Sequence, residues 1–547
     1  MRLTSLFGGD SLTNKRIGIF GWGLVAPRSP NIEAFRENLK NSRSWLEPFN
    51  GYGPDNFLVG KPEFCFEDYK GWIDQRFSPR RFQVLEEKMD PTTQYAIAAF
   101  IQALGQNPGI EQELQRLGNQ ARVYLGTGLG PLPTIYDQTL QLHRAQRSWN
   151  RYWGSPQRNS ALQAYLEDPS LDPAAPVDPC TVPEGQKEEA EDAWWHHWTE
   201  RSAELREYLS EVREIESADV EGDVAKGKMS VLKQKHRLHA RLQQKWGAPD
   251  PPWRSVSANL IWNIQNTPPA QVSMLGKITG MTFAPAAACS TFGLTLKLAM
   301  DAIRSGEARA VVVGASDPPP HPLTVGAFYN ARVISADADV SKPLSGLRGT
   351  HISGGSVVWI VGDHDYLTKQ GFRPLGMEPL SVGVTSDADH IITPSKEGPT
   401  AAILEAIQGA GLTASDMAGW DLHATATPGD YTEVETLMEI LPASILVTAR
   451  KGTFGHGMSA GGGWELTAQY LAPENGETFP TPLSRSELNE QIAKLHQRFV
   501  FDHSCSNHQG PVGKLSMGIG GINACVVSRP WEREEAGGRR QEEASPR

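Results

Sequence analysis

One thiol stands out for its placement. In FAPAAACSTFGLTL, Phe283 to Leu296, an apolar run delivers Cys289 to the start of an expected helix with Leu294, Leu298, Ala302 and Ile303 on its inner side. At a helix N-terminus the macrodipole and free backbone N–H groups favour thiolate, the nucleophilic form. The small residues of AAACS leave room for a substrate, although a buried structural cysteine accounts for this stretch taken alone equally well. Two later segments change the balance. HATATPGDYTEVE puts His423 directly after an expected strand, with Asp430 to Glu435 opening a helix. KGTFGHGMSAGGGWE puts Lys451 five residues before His456, in a glycine-rich turn that leads into another helix. Either histidine alone would be read as a satisfied core or surface residue. A cysteine nucleophile followed by two histidines in glycine- and threonine-rich turns points to nucleophilic catalysis. In SMGIGGIN, Gly518, Gly520 and Gly521 let the backbone approach a ligand closely, or else make a plain tight turn.

Elements that could position these residues recur along the chain. RIGIFGWG at 16, ARVYLGTG at 121, MTFAPAAA at 281 and ARAVVVGAS at 308 form one set of apolar strands. SVVWIVGD at 356, DLHATAT at 421, SILVTAR at 444, and KLSMGIG and NACVVS near 514 and 523 form another. Near-continuous apolar strands alternating with helices predict an α/β protein whose sheets are covered on both faces. The two sets predict two similar halves, residues 1–134 with 251–345 and residues 346–530.

Residues 135–250 differ in character. The stretch 184–223 is strongly acidic, while 226–245 carry Lys226, Lys228, Lys233, Lys235, Arg237, Arg241 and Lys245 without one acidic residue. Leu205, Tyr208, Leu209, Val212 and Ile215 recur at helical spacing, which predicts an inserted hairpin of two antiparallel helices of opposite charge. Such a pair either neutralises itself or offers a docking surface to an acidic carrier. His196 and His197 in WWHHW point in different directions on a helix and serve one metal ion poorly. The tail 531–547 has the composition of a disordered segment.

Composition bounds the function. The chain has 547 residues, 52 basic and 63 acidic, for a net charge of -11, which argues against general binding to nucleic acid or anionic membranes. Cys65, Cys180, Cys289, Cys505 and Cys525 are odd in number and lack metal-ligand pair spacing, as expected of reduced thiols. No apolar run suits a signal peptide or a membrane span, so a soluble, cytoplasmic protein is expected.

The segments around Cys289, His423, His456 and the final SMGIGGINACVV, in that order, resemble the β-ketoacyl synthases of the elongating, Cys-His-His type. The resemblance covers about 16–130 and 255–528 and implies the thiolase fold, two similar βαβαβ halves in an α-β-α-β-α stack, with residues 135–250 as an insertion. It implies a decarboxylative Claisen condensation: Cys289 accepts an acyl group from a phosphopantetheine thioester, and malonyl on an acyl carrier protein loses carbon dioxide to give the attacking enolate. His423 and His456 would surround the malonyl thioester carbonyl, and Lys451 would organise the site. Glu465 matches the acidic residue of the following helix. The backbone N–H groups of Cys289 and Ile519 would form an oxyanion hole, and Thr425 and Thr427 would contact the pantetheine arm. The resemblance further implies a homodimer and neither cofactor nor metal. This chain departs from the family pattern at Ser345, Gly349 and Gly355, where acidic residues are usual, while Pro343 and Arg348 remain. The HATATPGD turn is one residue short, and Ile519 replaces a gating phenylalanine. Two other readings stay open: a chain-initiating synthase that takes its primer from acyl-CoA, and a non-catalytic partner subunit of a heterodimer. A cysteine hydrolase would leave the second histidine and Lys451 unexplained.

Overall fold

The computed structural model describes residues 15–53, 56–218, 224–391, 395–506 and 510–531. The expected disordered tail therefore lies outside the described residues from 532 onward. The chain divides into two compact units, one running to Pro133 and resuming at Ile261, the other spanning Thr134–Leu260.

The first unit is built on two five-stranded sheets. One contains β1 (Ile17–Val25), β2 (Ala121–Gly126), β3 (Thr282–Phe283), β4 (Ala310–Asp317) and β5 (Gly355–Asp363); the other contains β6 (Met377–Ser386), β7 (Gly419–Asp421), β8 (Leu446–Thr448), β9 (Val512–Gly518) and β10 (Ile522–Pro530). Their orders are β1-β5-β4-β2-β3 and β6-β10-β9-β7-β8. In both, the first, fifth and fourth strands in chain order pair antiparallel, and the fourth, second and third pair parallel. Sequence runs such as AVVVGASD, buried at every position, are what a strand covered on both faces requires.

Helices form the layers around these sheets. α1 (Pro91–Gly105) covers the outer face of the first sheet, packing Ala96, Ala99, Phe100 and Ala103 on Phe20, Val123, Val312 and Ile360. The approach is close because Gly21 and Gly23 have no side chain; a Cβ there would lie 2.3 and 2.1 Å from the carbonyl oxygens of Ala103 and Ala99. α2 (Thr291–Arg304) lies between the sheets, α3 (Glu397–Gly409) covers the outer face of the second, α4 (Gly429–Ile440) follows β7, and α5 (Met458–Asn475) joins α2 in the middle layer. The central core unites Phe292, Leu296 and Ile303 of α2 and Trp464 and Tyr470 of α5 with Val313 and Trp359 of one sheet and Val382 and Val526 of the other. A helix sandwiched in this way buries more than one stripe. Phe292, Leu296, Ala299, Met300 and Ile303 are buried, whereas Leu294 and Leu298 of the expected inner face are only half-buried. This first unit is an α-β-α-β-α stack, the thiolase-like fold expected from the sequence.

Two expectations need correction. The run at 356 forms β5, which pairs antiparallel with β1 and β4 of the first sheet, so the first half extends to Asp363 rather than 345. An apolar run shows that a strand is buried but not which sheet receives it. Residues 134–260 are more than a hairpin, with helices at Leu132–Trp153, Ser160–Glu167, Glu184–Arg201, Ala203–Glu216 and Val224–Trp246. The acidic stretch breaks at Ser202, whose hydroxyl caps the next helix by accepting from the Leu205 N–H at 3.0 Å. The tryptophans supply the core that the charge pattern concealed: Trp149 and Trp153 pack with Tyr208 and Leu242, and Trp194 and Trp198 with Leu162. The last two helices form the expected oppositely charged pair. Glu216 takes His239 at 2.6 Å and Lys235 at 3.3 Å, and Glu211 takes Lys245 at 2.8 Å. His196 and His197 contact different carboxylates, Glu200 and Asp172.

Trp359 of β5 packs its ring into the middle layer, fully buried between Phe292 and Tyr470, with its N–H donated to Thr467 Oγ1 at 3.1 Å. Trp359→Ala should lower the unfolding free energy by about 3–5 kcal/mol, and Trp359→Phe by less, in denaturant titrations.

Candidate active site

Cys289 sits at the end of an extended run, in a short 3-10 turn (Ala288–Ser290) that passes directly into α2. Ala288 has φ 47°, a left-handed conformation that side chains disfavour, and this sharp reversal separates Cys289 from the preceding segment. The turn is held from two sides. The Ala287 N–H donates to Thr291 Oγ1 at 2.9 Å, and the Ser290 hydroxyl lies 3.0 and 2.7 Å from the carbonyl oxygens of Ser516 and Ile522 on β9 and β10. Gly518 allows the β9–β10 hairpin this close, because a Cβ there would meet Ala287 O at 2.6 Å. Gly520 and Gly521 complete the hairpin turn at φ 96° and 75°. The Ile519 N–H and the N–H of Cys289 itself thereby point at the sulfur.

The thiol is not the thiolate that its helix position suggests. Burial pushes it up to about 11, against the opposing effects of Lys451 and the two N–H groups. A helix terminus lowers a thiol that water also reaches; at 7% exposure the cost of removing the charge from water prevails.

His423 follows β7, in a turn shaped by α4. Glu433 accepts the N–H groups of His423 at 2.6 Å and Ala424 at 2.8 Å; Asp430 accepts those of Thr425 at 2.8 Å, Ala426 at 3.1 Å and Leu344 at 2.8 Å. Burial raises these carboxyls to about 6 for Asp430 and about 7 for Glu433. Ala426 has φ 58°, and the half-buried Thr425 and Thr427 hydroxyls lie 3.0 Å apart on the outer side of the turn. His456 opens α5. Its Nδ1 accepts the Met458 N–H at 3.1 Å, which leaves the proton on Nε2. Lys451 Nζ lies 3.4 Å from His423 Nδ1, which assigns the same tautomer there. The two rings are 5.4 Å apart at 83°. Burial first, and Lys451 second, press both imidazoles down, His456 to about 3 and His423 well below the usual histidine range. Both are therefore neutral N–H donors at physiological pH.

Lys451 also donates to His423 O at 2.5 Å and to Glu465 Oε1 at 2.7 Å. α5 carries Glu465 into this layer, and Gly462 lets it approach β9, since a Cβ there would lie 2.8 Å from Ser516 Oγ. The same helix lies against both segments: the Gly462 Cβ position is 3.7 Å from Cys289 O and that of Gly461 4.0 Å from His456 Nδ1. The structure thus gathers Cys289, His423, His456, Lys451, Glu465 and Ile519. Thr425 and Thr427 stand on the rim of the His423 turn.

Several buried charges escaped the motif reading. Lys514 on β9 reaches Glu465 Oε2 at 2.9 Å, and Asp421 on β7 lies 3.5 Å from both Lys514 Nζ and Arg450 Nε. Asp317, at the end of β4, accepts the N–H groups of Gly128, Leu129 and Ser459 at 2.8–2.9 Å, tying the loop after β2 to the start of α5. The available signal was a charged residue inside or ending an apolar strand, as in KLSMGIG, DLHATAT and VVVGASD. Arg348, retained from the family pattern, pairs with Asp337.

The chain belongs to the beta-ketoacyl synthase family. The model of the family's N-terminal domain matches residues 14–164 and 180–361, and that of its C-terminal domain matches 378–483. It is 28% identical over 216 residues to nodulation protein E of Rhizobium meliloti, covering 39% of this chain and 53% of that one. It is 26% identical over 293 residues to the chloroplastic 3-oxoacyl-[acyl-carrier-protein] synthase I of Hordeum vulgare, covering 51% and 62%. The matches thus span about half to three fifths of these relatives. Among solved structures it resembles the ishigamide ketosynthase/chain length factor, at 18% identity and TM-score 0.66 over 95% of this chain and all of that one. It also resembles a beta-ketoacyl synthase from Burkholderia phymatum STM815, at 15% identity and TM-score 0.64 over 95% and 100%. A type II polyketide ketosynthase in complex with its acyl carrier protein has the same fold, at 15% identity and TM-score 0.62 over 94% and 100%.

The raised thiol has a direct consequence. Alkylation of Cys289 by iodoacetamide, followed by peptide mass, should rise about tenfold per pH unit from pH 7 to 10 and level off only near 11. An ordinary surface cysteine would level off near 8.5.

Proposed function

We propose that this chain is a β-ketoacyl synthase that catalyses decarboxylative Claisen condensation of a malonyl thioester with an acyl group held on Cys289. The observation that carries the reading is the pair of neutral imidazoles whose Nδ1 atoms are occupied, leaving two Nε2–H groups beside a thiol that faces two backbone N–H groups. In the first half-reaction the Cys289 sulfur bonds to the acyl carbon, the pantetheine C–S bond breaks, and the thiol proton passes to the departing pantetheine sulfur. In the second, the malonyl carboxylate leaves as carbon dioxide and its electron pair forms an enolate. The Nε2–H groups of His423 and His456 donate to the enolate oxygen as its charge develops. Donors fixed in advance in a dry site are worth roughly 3–4 kcal/mol each. The enolate carbon then attacks the acyl carbonyl, whose oxyanion is held by the N–H groups of Cys289 and Ile519, and the C–S bond breaks with its electron pair left on the sulfur, which takes a proton from water to restore the thiol.

The substrates travel on the pantetheine of an acyl carrier protein, passing Thr425 and Thr427, and the protein acts as a homodimer in fatty acid or polyketide synthesis. Among the described residues no helix is long and apolar enough to cross a membrane. Support for a carrier contact comes from the helix Val224–Trp246. Lys235, His239 and Lys245 are paired with carboxylates, whereas Lys233, Arg237 and Arg241, four residues apart along one exposed stripe, have no carboxylate partner among the described residues. That stripe suits the acidic surface of a carrier.

Incubation of the purified protein with a panel of acyl-carrier and acyl-CoA thioesters should add one acyl group to its intact mass, and Cys289→Ala should abolish the gain; a gain retained in the variant would refute Cys289 as acceptor. The class of donor that loads it separates an elongating from an initiating enzyme, and absence of loading by every donor would favour a partner subunit. Separately, Arg237→Glu/Arg241→Glu should raise KM for carrier-bound substrate severalfold and leave small thioesters unaffected. Equal kinetics with both substrate forms would return that helix to a solvated face.

A further inference from the structure

Lys514 is a buried charge additional to the two ion pairs of the site. Lys451 with Glu465 and Arg450 with Asp421 would already be two balanced buried pairs. Lys514 adds a fifth charge, its side chain 1% exposed, among partners that are exposed by no more than 3%. An ammonium taken this far from water is costly and persists where its hydrogen bonds and neighbouring charges offset that cost.

Besides Asp421 at 3.5 Å, three contacts show what it holds. Lys514 forms an ion pair with Glu465 Oε2 at 2.9 Å and donates to Leu422 O at 3.2 Å and to Leu515 O. Leu422 immediately precedes His423, whose own carbonyl takes Lys451 at 2.5 Å. Two ammonium groups therefore grip consecutive carbonyls, while Glu433 grips the N–H groups of His423 and Ala424. The peptide units on either side of the imidazole are thus fixed by three buried charges. Lys451 has three N–H bonds to distribute, to Glu465 Oε1, His423 O and His423 Nδ1, the last at 3.4 Å. Without Lys514, Glu465 Oε2 would be a buried carboxylate oxygen with no cation beside it. The nearest remedy is for Lys451 to straddle both carboxylate oxygens and give up its longest bond, the one to Nδ1.

We propose that Lys514 is a positioning residue for the reaction. By holding Glu465 Oε2 and Leu422 O, it leaves Lys451 free to donate to His423 Nδ1 and so fixes the Nε2–H tautomer that faces the substrate. The kinetic part of this inference rests on the condensation reading above; the structural part does not.

The test uses the full chain labelled with ¹⁵N-histidine, with the His423 signals assigned by their loss in His423→Gln. Long-range ¹H–¹⁵N spectra at pH 7 should show the Nε2–H tautomer in the unsubstituted protein and in Lys514→Arg, which retains a donor to Glu465. They should show a mixture or the Nδ1–H tautomer in Lys514→Met. Asp421→Asn/Lys514→Met removes the lysine together with a neighbouring charge, which guards against misfolding, and it should show the same change because Glu465 Oε2 is still bare. Malonyl decarboxylation should lose on the order of tenfold in kcat in both methionine variants, with KM within about twofold. An unchanged His423 tautomer in either methionine variant overturns the proposal. A changed tautomer, in a protein that fails to decarboxylate malonyl even without substitution, would refute the condensation reading and leave the positioning role standing.

Discussion

A buried ammonium, that of Lys451, is the group on which the rest of the site depends. Three acceptors converge on it, Glu465, the His423 carbonyl and the His423 ring, and each comes from a different level of the structure. The Glu465 contact ties the ammonium to the central helix α5; the carbonyl contact fixes the end of β7; the ring contact decides which imidazole nitrogen is left to donate. The same positive charge depresses both histidines and moderates the rise of the cysteine thiol. Its cost is offset because every partner is equally dry, so each Coulomb interaction is screened far less than it would be at the surface.

Duplication of the sheet topology explains how the parts meet. The first half contributes Cys289 at the start of α2, and the second contributes His423 after β7 and His456 at the start of α5. Cys289 and His423 lie where a strand end gives way to a turn, His456 lies between the short helix Lys451–Phe454 and α5, and α2 and α5 share the middle layer. Cys289 and the two histidines therefore converge from the two halves without a long loop. The β9–β10 hairpin closes the arrangement by bringing the Ile519 N–H to the sulfur. Asp317 performs a similar tie between the end of β4 and the start of α5.

The 134–260 unit obeys a different logic. Its helices are held by tryptophan clusters, and its acidic and basic faces cancel only in part, with Glu211 and Glu216 absorbing three of the basic side chains. Charge pattern alone suggested two helices. The break at Ser202 and the additional helices were hidden because a capping serine and a set of aromatic residues carry little periodic signal.

Read without coordinates, the chain already determined its family-level character. The strands and helices follow from unbroken apolar runs and from 3.6-residue spacing, which are local properties of the backbone. Cys289, His423, Lys451 and His456 are recognisable because their turns are rich in glycine and threonine. Only the tertiary structure decided that β5 closes the first sheet, since strand partners are chosen by packing across the whole fold. Only it decided that the thiol stays protonated and the imidazoles neutral, since burial outweighs a helix terminus or a neighbouring residue in setting these equilibria. The roles of Asp421, Glu433 and Lys514 were hidden for the same reason. A charge in an apolar strand shows in the sequence as an exception, and its partners become known only when distant segments are folded against it.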